Sequence, residues 1–177
     1  MRGFTLIEVM VSMVIIAVGL LGIAKMQVLS YSSTGVASMR ALASLEASSL
    51  AATMHGDRAY WASGVAAPAQ TGGFTITGLL ISDPTLATTV DCTTASGANP
   101  PDCAPLALAS YDIQRWAAAV NLLLPNPLTT VVCSTTVGLP VSCTITINWS
   151  ENIVAINAQG TNLAGMQGPS YVLYVEP

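Results

Sequence analysis

Apolar residues crowd the start of this chain and thin out after it. From Phe4 to Ala24 only Glu8 is charged, and the next charge is Lys25. Such a stretch is about 20 residues long, enough to cross a bilayer core as a helix at roughly 1.5 Å per residue. The pattern then changes without a break. Met26 to Met54 holds no proline, one glycine (Gly35) and many alanines and serines. Val36, Met39, Leu42, Leu45, Leu50 and Met54 recur at mostly helical spacing, so the helix continues as an amphipathic one. His55-Gly56-Asp57 reads as its terminator, with Gly56 suited to a left-handed cap. The expectation is one helix of about 50 residues, apolar all round in its first half and one-sided in its second.

Beyond Asp57 the periods shorten. Ala62 to Gly73 has no period and reads as loop, and Phe74 to Ile81 as a short strand. Pro105 to Leu124 predicts a second helix, with Ile113, Trp116, Ala117, Val120 and Leu124 on one face and Pro125 as its stop. In Cys143-Thr144-Ile145-Thr146-Ile147-Asn148-Trp149 bulky apolar and polar residues alternate, the mark of a half-buried strand. Val131 to Ser134 is its expected partner, with a turn centred on Gly138. Ser170 to Glu176 forms a last strand with Tyr171, Leu173 and Val175 on one side. Three or four antiparallel strands against a helix make an α+β head.

Composition narrows the class. Of 177 residues 52% are hydrophobic and 8% charged, against roughly 25% charged in an ordinary soluble protein. A chain so poor in charge must hide surface in a membrane, in an assembly, or in both. The net charge is −4 with five basic residues, so no basic stripe supports nucleic-acid binding and no nucleic-acid partner is expected. Catalysis has no candidate: His55 stands alone at a helix end, no glycine-rich phosphate loop occurs, and no cofactor is called for. Asp112 and Arg115, three apart on the second helix, predict a surface ion pair of little worth.

The four cysteines, Cys92, Cys103, Cys133 and Cys143, show no zinc spacing. They read as disulfides formed in an oxidising compartment such as the periplasm. Three pairings are open. Joining sequence neighbours is the simplest, and Cys133 facing Cys143 across the expected hairpin favours it. A Cys92–Cys103 link would close the irregular loop from Asp91 to Cys103, which carries Asn99-Pro100-Pro101.

Glu8 needs an explanation. A carboxylate in a lipid-spanning helix costs roughly 2.5–3.5 kcal/mol at the centre and less near the end. A secretory signal peptide accounts for it poorly, because no Ala-x-Ala-like cleavage site follows the apolar run. A plain anchor helix would leave it as an interfacial acid with no task. The run Gly3-Phe4-Thr5-Leu6-Ile7-Glu8, however, resembles the class III signal of type IV prepilins. That resemblance implies cleavage by prepilin peptidase between Gly3 and Phe4, methylation of the new Phe4 amine, and a role for Glu8 as the filament-assembly carboxylate. The physics is compatible. An incoming subunit's positive N-terminus beside a neighbour's Glu8 neutralises it, and such a pair attracts far more strongly in a low-dielectric core than in water.

The resemblance implies four parts: a leader at 1–3, a transmembrane stretch at 4–25, its amphipathic continuation at 26–55 and a periplasmic head at 56–177. Ala-Val-Gly-Leu-Leu-Gly at 17–22, Cys103, Tyr111-Asp112-Ile113-Gln114-Arg115-Trp116, Leu124-Pro125 and the strand end Asn148-Trp149-Ser150-Glu151 further resemble the minor pilins of the type IV pilus modification (PilV) family. The implied function is a minor pilin that initiates or promotes pilus assembly. Its implied partners are prepilin peptidase, other minor pilins, the major pilin, the assembly platform and the inner membrane, and its place is the inner membrane and the pilus, at the tip in one version. Two alternatives share the signal: a pseudopilin of type II secretion, and a pilin whose head binds a surface or DNA. The scattered Asp83, Asp91 and Asp102 do not suggest a calcium loop. Ordinary core packing suffices for Tyr111, Trp116 and Trp149.

Overall fold

The computed structural model describes residues 5–63, 73–93, 103–134, 139–151 and 168–177. Helix α1 runs unbroken from Leu6 to Gly56, on the order of 75 Å at 1.5 Å per residue. With no proline in it, nothing forces a kink. Its apolar first half is uncovered, and the whole of its most hydrophobic window is exposed.

Burial begins near the head. The buried positions of α1 are Ala43, Ala47, Leu50 and Met54, a single stripe at helical spacing. Leu45, expected in that stripe, is 65% exposed. It lies across the helix axis from Ala47, and the small Ala43 and Ala47 take the inward places because they let the head come close to the backbone. The end of α1 also differs from expectation. Gly56 has no positive φ; instead Asp57 turns the chain at φ −115° and ψ 60°, its N–H donating to Thr53 O at 3.1 Å. One further helical turn, α2 (Arg58–Trp61), follows directly, so the chain needs no left-handed residue there.

The head carries β1 (Phe74–Thr77), β2 (Leu80–Ile81), α3 (Pro105–Leu123), β3 (Leu128–Cys133), β4 (Cys143–Asn148) and β5 (Ser170–Val175). All strand pairs are antiparallel, in the order β2-β1-β3-β4-β5. The sheet has five strands rather than three or four, because the segment from Phe74 to Ile81 is a hairpin and not one strand. Its turn puts Gly78 at φ +60°, a conformation glycine adopts without penalty. Gly73, just before β1, has φ +109°, and a Cβ there would lie 2.4 Å from Val131 O. Only glycine fits that approach.

Period-two alternation places one row of each strand inward. Phe74, Val131, Ile145 and Leu173 stand in register across four strands, and Ile76, Thr129, Ile147 and Tyr171 form the next row. These rows pack toward α1 and α3. Helix α3 starts with Pro105 at its first turn, a favoured place, and buries Ile113, Trp116, Ala117 and Val120, with Leu124 buried just past its end. The long N-terminal helix, antiparallel sheet and second helix form a pilin-like α+β fold. The turn expected at Gly138 and most of the loops at 62–73 and 91–103 lie outside the described residues.

Candidate functional site

Thr5 caps α1 from an extended conformation, and its carbonyl accepts the N–H groups of Glu8 at 3.1 Å and Val9 at 3.4 Å. Glu8 therefore stands in the first helical turn, where the unpaired N–H groups of the helix end favour a negative charge. Its side chain is exposed, and no described side chain bonds to it. Around it Leu6 is 78% exposed and Ile7 70%. The arrangement is an acid offered on an otherwise apolar rod. Gly3 and Phe4, the expected cleavage and methylation positions, lie outside the described residues.

The rod hides its own polarity. The hydroxyls of Ser12, Thr34, Ser38, Ser44, Ser48, Ser49 and Thr53 each donate to a main-chain carbonyl three or four residues earlier, at 2.8–3.1 Å. Hydroxyls satisfied within their own helix can enter lipid or a packed helix bundle without leaving a polar group unpaired. Gly19, Gly22 and Gly35 meet nothing within 4 Å, leaving shallow places where another helix backbone fits closely.

The head is fastened to this rod at its far end. Trp116 Nε1 donates to Glu46 O at 2.8 Å. Below it, Asp57 and Tyr60 are buried, and the Asp57 Oδ2 has no hydrogen-bond partner among the described residues, while the Tyr60 hydroxyl has at most the Thr85 side chain beside it. Burial raises the Asp57 carboxyl above its ordinary pKa; the Tyr60 N–H beside it works the other way, and the charge of Asp112 adds to the rise. Burial, with the charge of Asp83, pushes the Tyr60 phenol up to about 12. Asp83 spends its Oδ1 on the N–H and hydroxyl of Thr85 at 2.8 and 2.6 Å. The segment after it is clamped to α3, because Ser110 Oγ and Gln114 Nε2 both donate to the carbonyls of Leu86 and Thr88. None of these clamps was signalled by hydropathy; a serine and a glutamine on the edge of an apolar helix face were the available clue.

Cys92 bonds to Cys103 and Cys133 to Cys143, the second pair directly opposed across β3 and β4. The expected Asp112–Arg115 ion pair is replaced. Arg115 Nη1 donates to the Tyr111 hydroxyl at 2.9 Å and its guanidinium lies 5.5 Å from that ring's centre. Asp112 is half-buried, which raises its carboxyl pKa, and the charge of Arg115 partly offsets the rise. Trp149 is buried, its Nε1 donating to Glu151 Oε1 at 3.0 Å. His55 is exposed. An open cavity of about 380 Å³ lies against β2, lined by Leu79, Leu80, Ile81, Ala87, Thr89 and Gln114, none of which titrates near neutral pH.

Residues 1–24 match the family model of the prokaryotic N-terminal methylation motif. The motif supports the type IV pilin-like family. It covers the segment that holds Glu8 and the apolar half of α1, and it implies processing by prepilin peptidase in a pilin or pseudopilin assembly. No curated protein and no solved structure matches the chain. A pilin-like chain with this uncovered apolar helix fits a membrane-anchored protein, and the pilin family is structural rather than enzymatic.

Proposed function

We propose that this chain is a minor pilin of a type IV pilus, held in the inner membrane by residues 4–25 with its head from residue 56 in the periplasm. Prepilin peptidase removes residues 1–3 after Gly3 and methylates the Phe4 amine. The mature rod then leaves the membrane for the filament, where Glu8 of a seated subunit receives the Phe4 amine of the next. The subunit initiates or promotes assembly together with other minor pilins, the major pilin and the assembly platform. One observation carries this reading: within the methylation motif, an uncovered apolar helix presents in its first turn a single carboxylate with no partner among the described residues.

The residues shared with the PilV minor pilins, from Tyr111 through Trp116 and at Trp149 to Glu151, support the choice of a pilus over a secretion system. Ile113, Trp116 and Trp149 are core residues of the head and Gln114 is a clamp, whereas Tyr111, expected in the core, is half-buried beside the exposed Arg115. Deletion of the gene tests it. Loss of surface pili, restored by the intact gene, is the expected result. Normal pili with defective protein export would move the assignment to a type II secretion pseudopilin.

A further inference from the structure

Strands β2 and β5 are the two edges of the sheet, and they are finished differently. β2 is two residues long, Leu80–Ile81, and so short an edge offers little to pair with. β5 is six residues long, Ser170–Val175, and holds no proline and no charged side chain. It pairs residue for residue with β4 from Cys143 to Asn148, without a bulge. The features that usually guard an open edge are missing along it.

Register shows which main-chain groups of β5 point outward. Just beyond the pair Asn148–Ser170, the Trp149 N–H donates to Pro169 O. In an antiparallel ladder bonded and non-bonded pairs alternate. Tyr171, Leu173 and Val175 therefore spend their N–H and C=O groups on β4, and those of Ser170, Val172 and Tyr174 point out of the sheet. No strand among the described residues lies there to meet them. Val172 is 44% exposed and Tyr174 78%. Tyr171 and Leu173 pack against the core yet stay half-buried, because nothing described flanks them on the open side.

A copy of this chain is a poor donor for the missing strand. Two β5 edges joined antiparallel are related by a two-fold axis normal to the sheet. Helix α1 packs on the face of that sheet, against β5 and β4, so the axis would point the two stems in opposite directions. Stems anchored in one membrane run the same way. A join of β5 to the partner's β2 edge fails on length. A charged segment is no better suited, since β5 and β4 are both uncharged and a charge desolvated there finds no partner.

We propose that β5 receives an added strand from the head of a different subunit of the same assembly, an uncharged extended segment of about six residues lying antiparallel to it. The main chain of that strand satisfies Ser170, Val172 and Tyr174. Its inward side chains are apolar and cover the open flanks of Tyr171 and Leu173, and its outward ones meet Val172 and Tyr174. That the donor is another pilin rests on the function proposed above; the open edge does not.

A photoreactive phenylalanine in place of Tyr174, in the full-length chain made in cells that build the assembly, tests this, because an added strand lies about 4.8 Å away. Mass spectrometry should find position 174 joined to an uncharged, alternating segment of another protein that carries the N-terminal methylation motif. Val172→Pro removes one outward N–H and leaves the β4 ladder whole, and should lower that crosslink about tenfold. Val172→Lys places a guard charge on an exposed side chain and should do the same; it stands in if the proline variant does not fold. A crosslink to a second copy of this chain, to lipid or to nothing, or one that both variants leave unchanged, would overturn the proposal. So would slow amide exchange at Val172 and Tyr174 in the chain isolated alone, which would show the edge already covered. A donor that belongs to a secretion pseudopilus keeps the added strand and moves only the assignment above.

Discussion

The indole N–H of Trp116 donates to the main-chain carbonyl of Glu46 at 2.8 Å, joining residues 70 positions apart. Through this bond α3 grips the stem at the level where burial of α1 begins. Trp116 is 6% exposed, so its ring packs as well as bonds. Trp116→Phe keeps an aromatic ring but loses the donor. The carbonyl of Glu46 retains its place in the helix ladder, so the expected loss is about 1 kcal/mol. Trp116→Ala removes the ring as well and should cost about 3–5 kcal/mol. Thermal unfolding of the detergent-solubilised chain should rank wild type, Phe and Ala in that order, and equal midpoints for Phe and Ala would show that the ring does not anchor the head.

Asp57 sits 5% exposed where the stem ends, with Oδ2 unpartnered among the described residues. Its folded-state pKa is raised, chiefly by burial. The folded state therefore favours the protonated acid. That contribution is fully present below the unfolded value of 3.8 and is lost as pH rises through the folded pKa, so at neutral pH the ionised group burdens the fold. Asp57→Asn keeps an acceptor oxygen and removes the charge. Its melting temperature should exceed that of wild type at pH 7, and the gap should close as the pH is lowered toward the unfolded value. A gap that stayed constant with pH would assign the effect to packing rather than charge.

Gly73 allows β1 to enter the sheet. At φ +109° an L-residue is strained, and the added Cβ would meet Val131 O at 2.4 Å and Val132 Cγ2 at 2.9 Å. The carbonyl belongs to the neighbouring strand and cannot rotate away. Gly73→Ala should destabilise the head by about 2 kcal/mol or more. Gly56→Ala, with nothing within 4 Å and helical backbone, should instead be neutral or stabilising by up to about 1 kcal/mol. Denaturant midpoints for the two variants shifting together would contradict the contrast.

Most of this architecture could be read from periodicity. The uncharged run before Lys25, the alternation in β4 and β5 and the apolar face of α3 each carry a repeat that sidedness requires. Glu8 stood out because a lone acid in a long apolar run demands a reason. What periodicity missed shares one physical cause, short range. Ala43 and Ala47 bury better than Leu45 because of how near the head comes, which hydropathy does not encode. Phe74 to Ile81 folds back on a weak Gly78-Leu79 turn, and its apolar residues on both sides read as continuous. Asp57 is buried at the foot of α1, where packing from α2 and the head overrides its charge. Arg115 finds the Tyr111 ring one helical turn back rather than Asp112, a choice between two neighbours that spacing alone leaves open.

Glu8 offers the most direct functional test. It is exposed in the first turn of a helix whose neighbouring side chains are apolar. Removing the charge makes insertion into a bilayer easier, by roughly 2.5–3.5 kcal/mol if the acid were central and less near the helix end. Glu8→Ala should therefore reach the membrane at wild-type levels and still be cleaved, since Gly3 and Phe4 are unchanged. It should be lost from filaments, because no carboxylate remains to neutralise the incoming amine. Glu8→Gln keeps the shape and a weak acceptor but not the charge, so it should fail nearly as badly. Membrane fractions and sheared surface filaments, probed with an antibody to the head, measure both steps. Mass spectrometry of the membrane-held variant checks that it begins at a methylated Phe4. A Glu8→Ala chain found in filaments at the wild-type ratio would leave apolar packing alone to set the subunit register.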